Sequence, residues 1–185
     1  AWSILVRAKQ LKEVVEEERH SLSGTFHIAV LPTIAPYLIP RFLPQFMNEY
    51  PALDIRITEM KTEDIHRALK HGDIDAGIVA QVEGQEDFDS QQLYFEKAYN
   101  LGSIETFMRI VESGKGVTFI PELALEQLTE VQEELVRPFA HPIPTRDIIL
   151  LTQKNFLRTS LRQLVIDKIR ASVPAGMLRM NKTQQ

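Results

Sequence analysis

Apolar residues first alternate along the chain at Phe26, Ile28, Val30 and Leu31, an extended run that stops at Pro32. Behind it the spacing becomes helical, with Leu38, Ile39, Phe42, Leu43, Phe46, Met47 and Tyr50 on one face. A strand therefore feeds a helix, which Glu49-Tyr-Pro51 closes. Pro36 suits a first helical turn, where no N–H is needed, whereas Pro44 is expected to remove a backbone bond and bend the helix. Leu53, Ile55 and Ile57 then alternate with Asp54, Arg56 and Thr58 as a second strand. Thr62 followed by Glu63 and Asp64 reads as a capped helix start, with Ile65, Ala68 and Leu69 inside and Gly72 as the stop. Ile74, Ala76, Ile78 and Val79 complete a β-α-β-α-β series, the pattern of a parallel sheet covered by helices.

The later pattern is sparser. Glu83, Glu86, Asp87 and Asp89 mark a solvated crossing, and Leu93 to Tyr99 reads as an extended segment entering a second unit. Ser103-Ile-Glu-Thr106 opens a helix with Ile104, Phe107, Met108 and Val111 inward, ended by Gly114. Val117 to Ile120 reads as a strand closed by Pro121, and a short helix runs from Glu122 to about Leu128. A proline-punctuated connection, Arg137 to Pro144, leads to an apolar strand from Asp147 to Thr152 with Arg146 at its entrance. Ser160 is placed to cap a last helix bearing Leu161, Leu164, Val165, Ile166 and Ile169, followed by a loose tail from Asn181. At the other end Ile4, Ala8, Leu11 and Val15 form a short heptad seam, too short to stand alone and expected to continue N-terminally or pack on a second chain. Leu22 to Gly24 is the linker that follows. The residues between Asn100 and Arg146 supply one clear strand, which is thin for a lobe that must bury its own core.

Composition narrows the class. The 185 residues are 44% hydrophobic and 25% charged, as in an ordinary globular domain. No apolar run approaches the ~20 residues that span a bilayer, so no membrane association is expected. The chain opens on Ala1 and reads as a fragment whose beginning has been removed. It contains no cysteine, which excludes disulfides and thiolate metal sites within it and fits a reducing, cytoplasmic setting. A net charge of -4 argues against this segment gripping nucleic acid unaided.

Candidate chemistry centres on the first strand-helix turn. Unpaired N–H groups and the helix dipole are expected around residues 33 to 36, where Thr33 either helps to hold an anion or polar ligand or caps its own helix. In sheets of this type ligands lie at the carboxyl ends of the strands, where Thr33 and Thr62 both fall. Arg146 is either a ligand group or half of an ion pair with Asp147 or Glu133. Ser103 with Glu105 could be a nucleophile and its base, but a cap and a dipole-compensating carboxylate account for them more simply. His66 and His71, five apart, face different sides of a helix and read as solvated, and His20, His27 and His141 have no partners at ligand spacing. Gly114-Lys-Gly116 lacks the full spacing of a phosphate loop. No catalytic pair or metal cluster emerges, so neither an enzyme nor a cofactor is expected.

Ala29 to Leu38, Leu69 to Ala76 and Gly102 to Pro121 occur in an order that resembles the effector-binding domain of LysR-type transcriptional regulators, most of all the OxyR-type hydrogen-peroxide sensors. The resemblance implies two Rossmann-like α/β lobes of the periplasmic-binding-protein type. Residues 1–23 would be the end of the linker helix and hinge, 24–88 plus 148–178 the first lobe, and 89–147 a second, incomplete lobe. It also implies a dimer, tetrameric when full-length, that relays an effector signal to an N-terminal DNA-binding domain absent here. Thr33, Thr62, Arg146 and Ser103 would surround the effector, hydrogen peroxide in the main reading and a small anionic metabolite in the alternative. OxyR-type sensors carry a reactive cysteine in a His-Cys-x-x-Asp-Gln stretch, and no such stretch lies at the Tyr99–Asn100 join. Several dozen residues are therefore expected between Tyr99 and Asn100 in the parent protein.

Overall fold

A computed structural model describes residues 22–96, 104–114, 116–140 and 142–178. The heptad seam, the Tyr99–Asn100 join and the tail from Asn181 lie outside these residues. Five strands form one sheet: β1 (Gly24–Val30), β2 (Leu53–Glu59), β3 (Ala76–Ala80), β4 (Phe88–Glu96) and β5 (Arg146–Gln153), in the order β2-β1-β3-β5-β4. β1 runs parallel to both β2 and β3, whereas β5 is antiparallel to β3 and to β4. The β-α-β-α-β reading of the first part is thus borne out. β4 departs from expectation, because it hydrogen-bonds along β5 with a bulge between Gln92 and Tyr94. Residues 89–96, assigned above to the second lobe, are an edge of the first sheet.

Helices α1 (Ala35–Glu49) and α5 (Thr159–Ser172) cover one face of the sheet, and α2 (Thr62–His71) covers the other. Alternation within β1 sends Phe26, Ile28 and Val30 to the first face, against Phe42 and Phe46 of α1 and Leu161 and Val165 of α5. Ala29, Val79, Ile149 and Leu151 go to the second face, against Ile65, Ala68 and Leu69. Each fully buried Phe or Leu contributes roughly 1.5–3 kcal/mol, so the larger first face carries most of the stability.

α1 runs unbroken through Pro40 and Pro44. Both prolines lie with Pro36 on the exposed side, four residues apart, so the missing N–H groups fall where their would-be acceptors reach water or a side chain. One such acceptor, the Pro36 carbonyl, takes a hydrogen bond from Gln127 Nε2 at 3.5 Å. Gln127 belongs to a 3-10 turn (Glu122–Gln127) whose buried Leu123 and Ala124 join the core cluster on the α1 side of the sheet. Arg41 of α1 also donates to Glu126 of that turn and, through Nε, to the Ser172 carbonyl at 2.7 Å.

The middle of the chain carries α3 (Ile104–Glu112), closed by Gly114 at φ 76° as expected, and a short α4 (Glu130–Glu133) that the pattern did not predict. Thr129 and Gln132 form a reciprocal capping box around α4. Val117 to Ile120 is not a strand. Its β-forming side chains have no neighbouring strand to pair with among the described residues. Ser160 does not cap α5 either; the N-cap position belongs to Arg158.

Candidate functional site

The carboxyl edge of the sheet collects three of the four candidate residues. Val30 and Glu59 are register partners at the ends of β1 and β2, and Thr33 and Thr62 each lie three residues beyond them. The Met60 amide donates to the Val30 carbonyl at 3.0 Å, so the two turns leave the sheet side by side. Arg146 begins β5, whose antiparallel course sets Ile148 opposite Ala80 at the end of β3. It therefore opens on the same edge, two strands from β1, or roughly 10 Å at the usual strand spacing. Ser103 lies outside the described residues.

Local geometry corrects the chemistry expected of the turns. The Ile34 and Ala35 amides both turn back to the Leu31 carbonyl at 2.9 Å, and those of Tyr37 and Leu38 reach the Ile34 carbonyl. Pro36 has no N–H. The anion cradle expected at residues 33 to 36 is thus largely consumed by the turn's own hydrogen bonds, leaving the Thr33 amide and hydroxyl as its donors. Thr33 does not cap α1, whose N-cap is Ile34 with no side-chain bond. Thr62 does not cap α2; Lys61 takes that position and Thr62 is the first helical residue. Neither hydroxyl is used as a helix cap, and both residues are half-buried at the sheet edge. Glu63 and Asp64 in the first turn of α2 compensate its dipole and disfavour a second anion there.

Sequence reasoning missed the contact that closes this edge from the side of the middle segment. Gln127 reaches the Pro36 carbonyl, three residues from Thr33, and Arg41–Glu126 fastens the same 3-10 turn to α1. The signal was present in part, since Pro40 leaves the Pro36 carbonyl without its helical donor. A hollow of about 490 Å³ lies elsewhere: it is bounded by residues 108–143, and none of Thr33, Thr62 or Arg146 lines it.

His66 is not the solvated helix residue expected. Its ring lies 5.2 Å from that of Phe88, centroid to centroid, and its Nε2 is buried without a hydrogen-bond partner. Burial, and secondarily the nearby Lys70 ammonium, pushes its pKa below the ordinary 6.5. The unfolded chain then binds the proton more readily than the folded one. His66 should cost no stability above pH 6.5, and stability should fall as the pH drops through and below that value. Urea unfolding of wild type and His66→Phe between pH 5 and 8 should show a weaker acid-side decline in the variant. Among the described residues no group of His, Asp and Glu could hold a metal ion, and no helix is long and apolar enough to cross a membrane.

A three-strand parallel unit extended by two antiparallel strands, with paired hydroxyl-bearing turns at its carboxyl edge, defines an α/β domain of the periplasmic-binding-protein-like type. The chain belongs to the LysR substrate binding domain family, whose profile matches residues 19–99 and 85–174. It is 24% identical to the hydrogen peroxide-inducible genes activator of Pectobacterium carotovorum subsp. carotovorum, over 98% of this chain and 78% of that protein. With the DNA-binding transcriptional dual regulator OxyR of Escherichia coli strain K12 the identity is 23%, over 92% and 73%. Among solved structures, OxyR from Porphyromonas gingivalis superposes with a TM-score of 0.82 at 33% identity, covering 88% of this chain and 99% of that one. The Pectobacterium match spans 236 residues but only 98% of the 185 here, so roughly fifty positions of that relative face no residue of this chain.

Proposed function

We propose that this is the sensing domain of a transcription regulator that answers hydrogen peroxide in the cytoplasm. A change in dimer arrangement would carry the signal to an N-terminal DNA-binding domain of the parent protein. The likeness to Porphyromonas gingivalis OxyR, at 33% identity over nearly all of that chain, carries this reading. Thr33 and Thr62 would donate to a peroxide oxygen from adjacent turns, with Ser103 as a further effector contact. Arg146, on the same edge, would stabilise a thiolate or the departing oxygen. The thiolate would attack one peroxide oxygen, the O–O bond would break, and hydroxide would leave a sulfenic acid behind. These 185 residues hold no cysteine. The reading therefore puts the thiol on a segment between Tyr99 and Asn100 of the parent, in keeping with the roughly fifty unmatched positions of the Pectobacterium relative. The domain acts as a switch consumed once per signal and restored by reductants, not as a turnover enzyme.

Peroxide titration of the parent protein with thiol counting and sedimentation tests the proposal. Thiol loss should accompany a change in dimer arrangement. Thr33→Val and Thr62→Val should each slow thiol loss by about tenfold, the worth of one hydrogen bond in the transition state, without altering its final extent. A parent protein without cysteine would end the peroxide reading. Calorimetric binding of a small carboxylate with no thiol loss would instead support reversible sensing of an anionic metabolite.

A further inference from the structure

The bulge in β4 determines what stands beside Arg146. β4 and β5 pair in step from Phe88 opposite Gln153 to Gln92 opposite Ile149, and then Tyr94 stands opposite Ile148, so Leu93 is the extra residue. Two successive side chains are thereby turned to one face. Leu93 and Tyr94 are both buried in the core on the α1 side of the sheet, where strict alternation would place only one of them. Everything beyond the extra residue moves by one place, so that Glu96 comes opposite Arg146, where Phe95 would stand without it. The register of the strand end that carries Arg146 therefore depends on the bulge being held.

Three hydrogen bonds converge on that point. Arg170 of α5, partly buried, donates through Nη2 to the carbonyl of Gln92, the last residue before the step. The Gln92 carboxamide donates to Asp147 Oδ1 at 2.9 Å, and the Asp147 carbonyl accepts from the Gln81 amide at 2.8 Å. A bulge interrupts the ladder locally, so a donor from outside the sheet steadies the backbone where the ladder does not. We infer that Arg170 is a positioning residue for Arg146: by holding the Gln92 carbonyl it fixes the bulge, and through Gln92 and Asp147 it sets where Arg146 enters the edge that carries Thr33 and Thr62. This rests on the reading that Arg146 serves the effector. A plainer role, seating α5 on β4, would make the same bond without bearing on Arg146.

Two measurements separate these roles. In the 185-residue chain, Arg170→Met should speed deuterium exchange at residues 94–96 and 146–148 at least tenfold and leave Val165 and Ile169 of α5 protected. In the parent protein under peroxide, Arg146→Met should slow thiol loss at least tenfold and Arg170→Met about tenfold. Both together should slow it no more than about twofold beyond Arg146→Met alone, because Arg170 then has nothing left to place. Arg170→Lys still donates to one carbonyl and should recover most of the rate and the protection. A further tenfold slowing in the double variant would overturn the inference. So would unchanged exchange at 94–96 and 146–148 in Arg170→Met, or a loosening confined to α5. The peroxide reading fails differently, through a parent without a thiol or thiol loss indifferent to Arg146→Met, and the exchange result then decides the placement of Arg146 by itself.

Discussion

Replacing Arg158 with methionine is expected to destabilise the domain by about 3 kcal/mol, the scale set by breaking a buried hydrogen-bonded network. Arg158 is fully buried at the N-cap of α5, a place usually given to a small hydroxyl or carboxamide. Its role is to tie the start of α5 to the start of β1. Nη1 donates to the Thr25 carbonyl at 3.0 Å and Nη2 to the Ser23 carbonyl at 2.8 Å, so the planar fork grips the segment that leads into β1. Methionine keeps most of the volume and provides no donor, leaving both carbonyls to find water in a half-closed space. Arg158→Lys keeps the charge, but one ammonium cannot hold the two carbonyls in the same fixed geometry, and it should recover less than half of the loss. Urea unfolding gives the size of the effect, and deuterium exchange at the start of β1 gives its place. A loss below about 1 kcal/mol, or unchanged exchange there, would show that the fork does not anchor this segment. In the proposed switch the anchor has a further use, because any pull on the linker would enter the sheet through Ser23 and Thr25.

How far the sequence discloses this domain depends on whether a residue's surroundings lie close in the chain. Phe26 to Val79 read correctly as β-α-β-α-β, since each strand there is followed by the helix that covers it, and Gly72 stops α2 with the left-handed geometry expected (φ 77°). The place of β4 is not legible locally, because its partner, β5, lies some fifty residues or more further on and nothing in Leu93 to Glu96 shows that it pairs there. None of the candidate hydroxyl caps holds the N-cap: Thr33 lies one residue before Ile34, Thr62 one after Lys61, and Ser160 two after Arg158. Helix starts here are set by backbone turns and tertiary anchors: Leu31 accepting from Ile34 and Ala35 in one case, and buried Arg158 in another. The site was legible to the extent that it follows from topology. Thr33, Thr62 and Arg146 reach a common sheet edge because strand direction puts them there. The closing contact from Gln127 was not legible, because it joins residues ninety-one positions apart.

The largest single-atom effect should come from the glycine that lets α2 lie on the sheet. Gly77 in β3 faces Ile65, and a Cβ built on it would sit 2.4 Å from the Ile65 Cγ2, well inside contact distance. That methyl branches directly from Ile65 Cβ, so it cannot swing away as the tip of a long side chain would. Ile65 is itself fully buried, with Leu69 the next neighbour at 3.5 Å from the same point, so α2 must lift or β3 must bend. Gly77→Ala is therefore expected to cost about 3 kcal/mol, at the upper end of overpacking effects, and Gly77→Val more, enough to leave a domain of ordinary stability partly unfolded. Ile65→Leu removes the γ2 methyl while conserving volume, and in the Gly77→Ala background it should restore at least 1 kcal/mol, although alone it should be neutral or slightly destabilising. Urea unfolding of the two single variants and the double variant measures that coupling. Simple additivity would mean that the clash lies elsewhere in the packing of α2 on β3, and that Gly77 is needed for its backbone and not for the space it leaves.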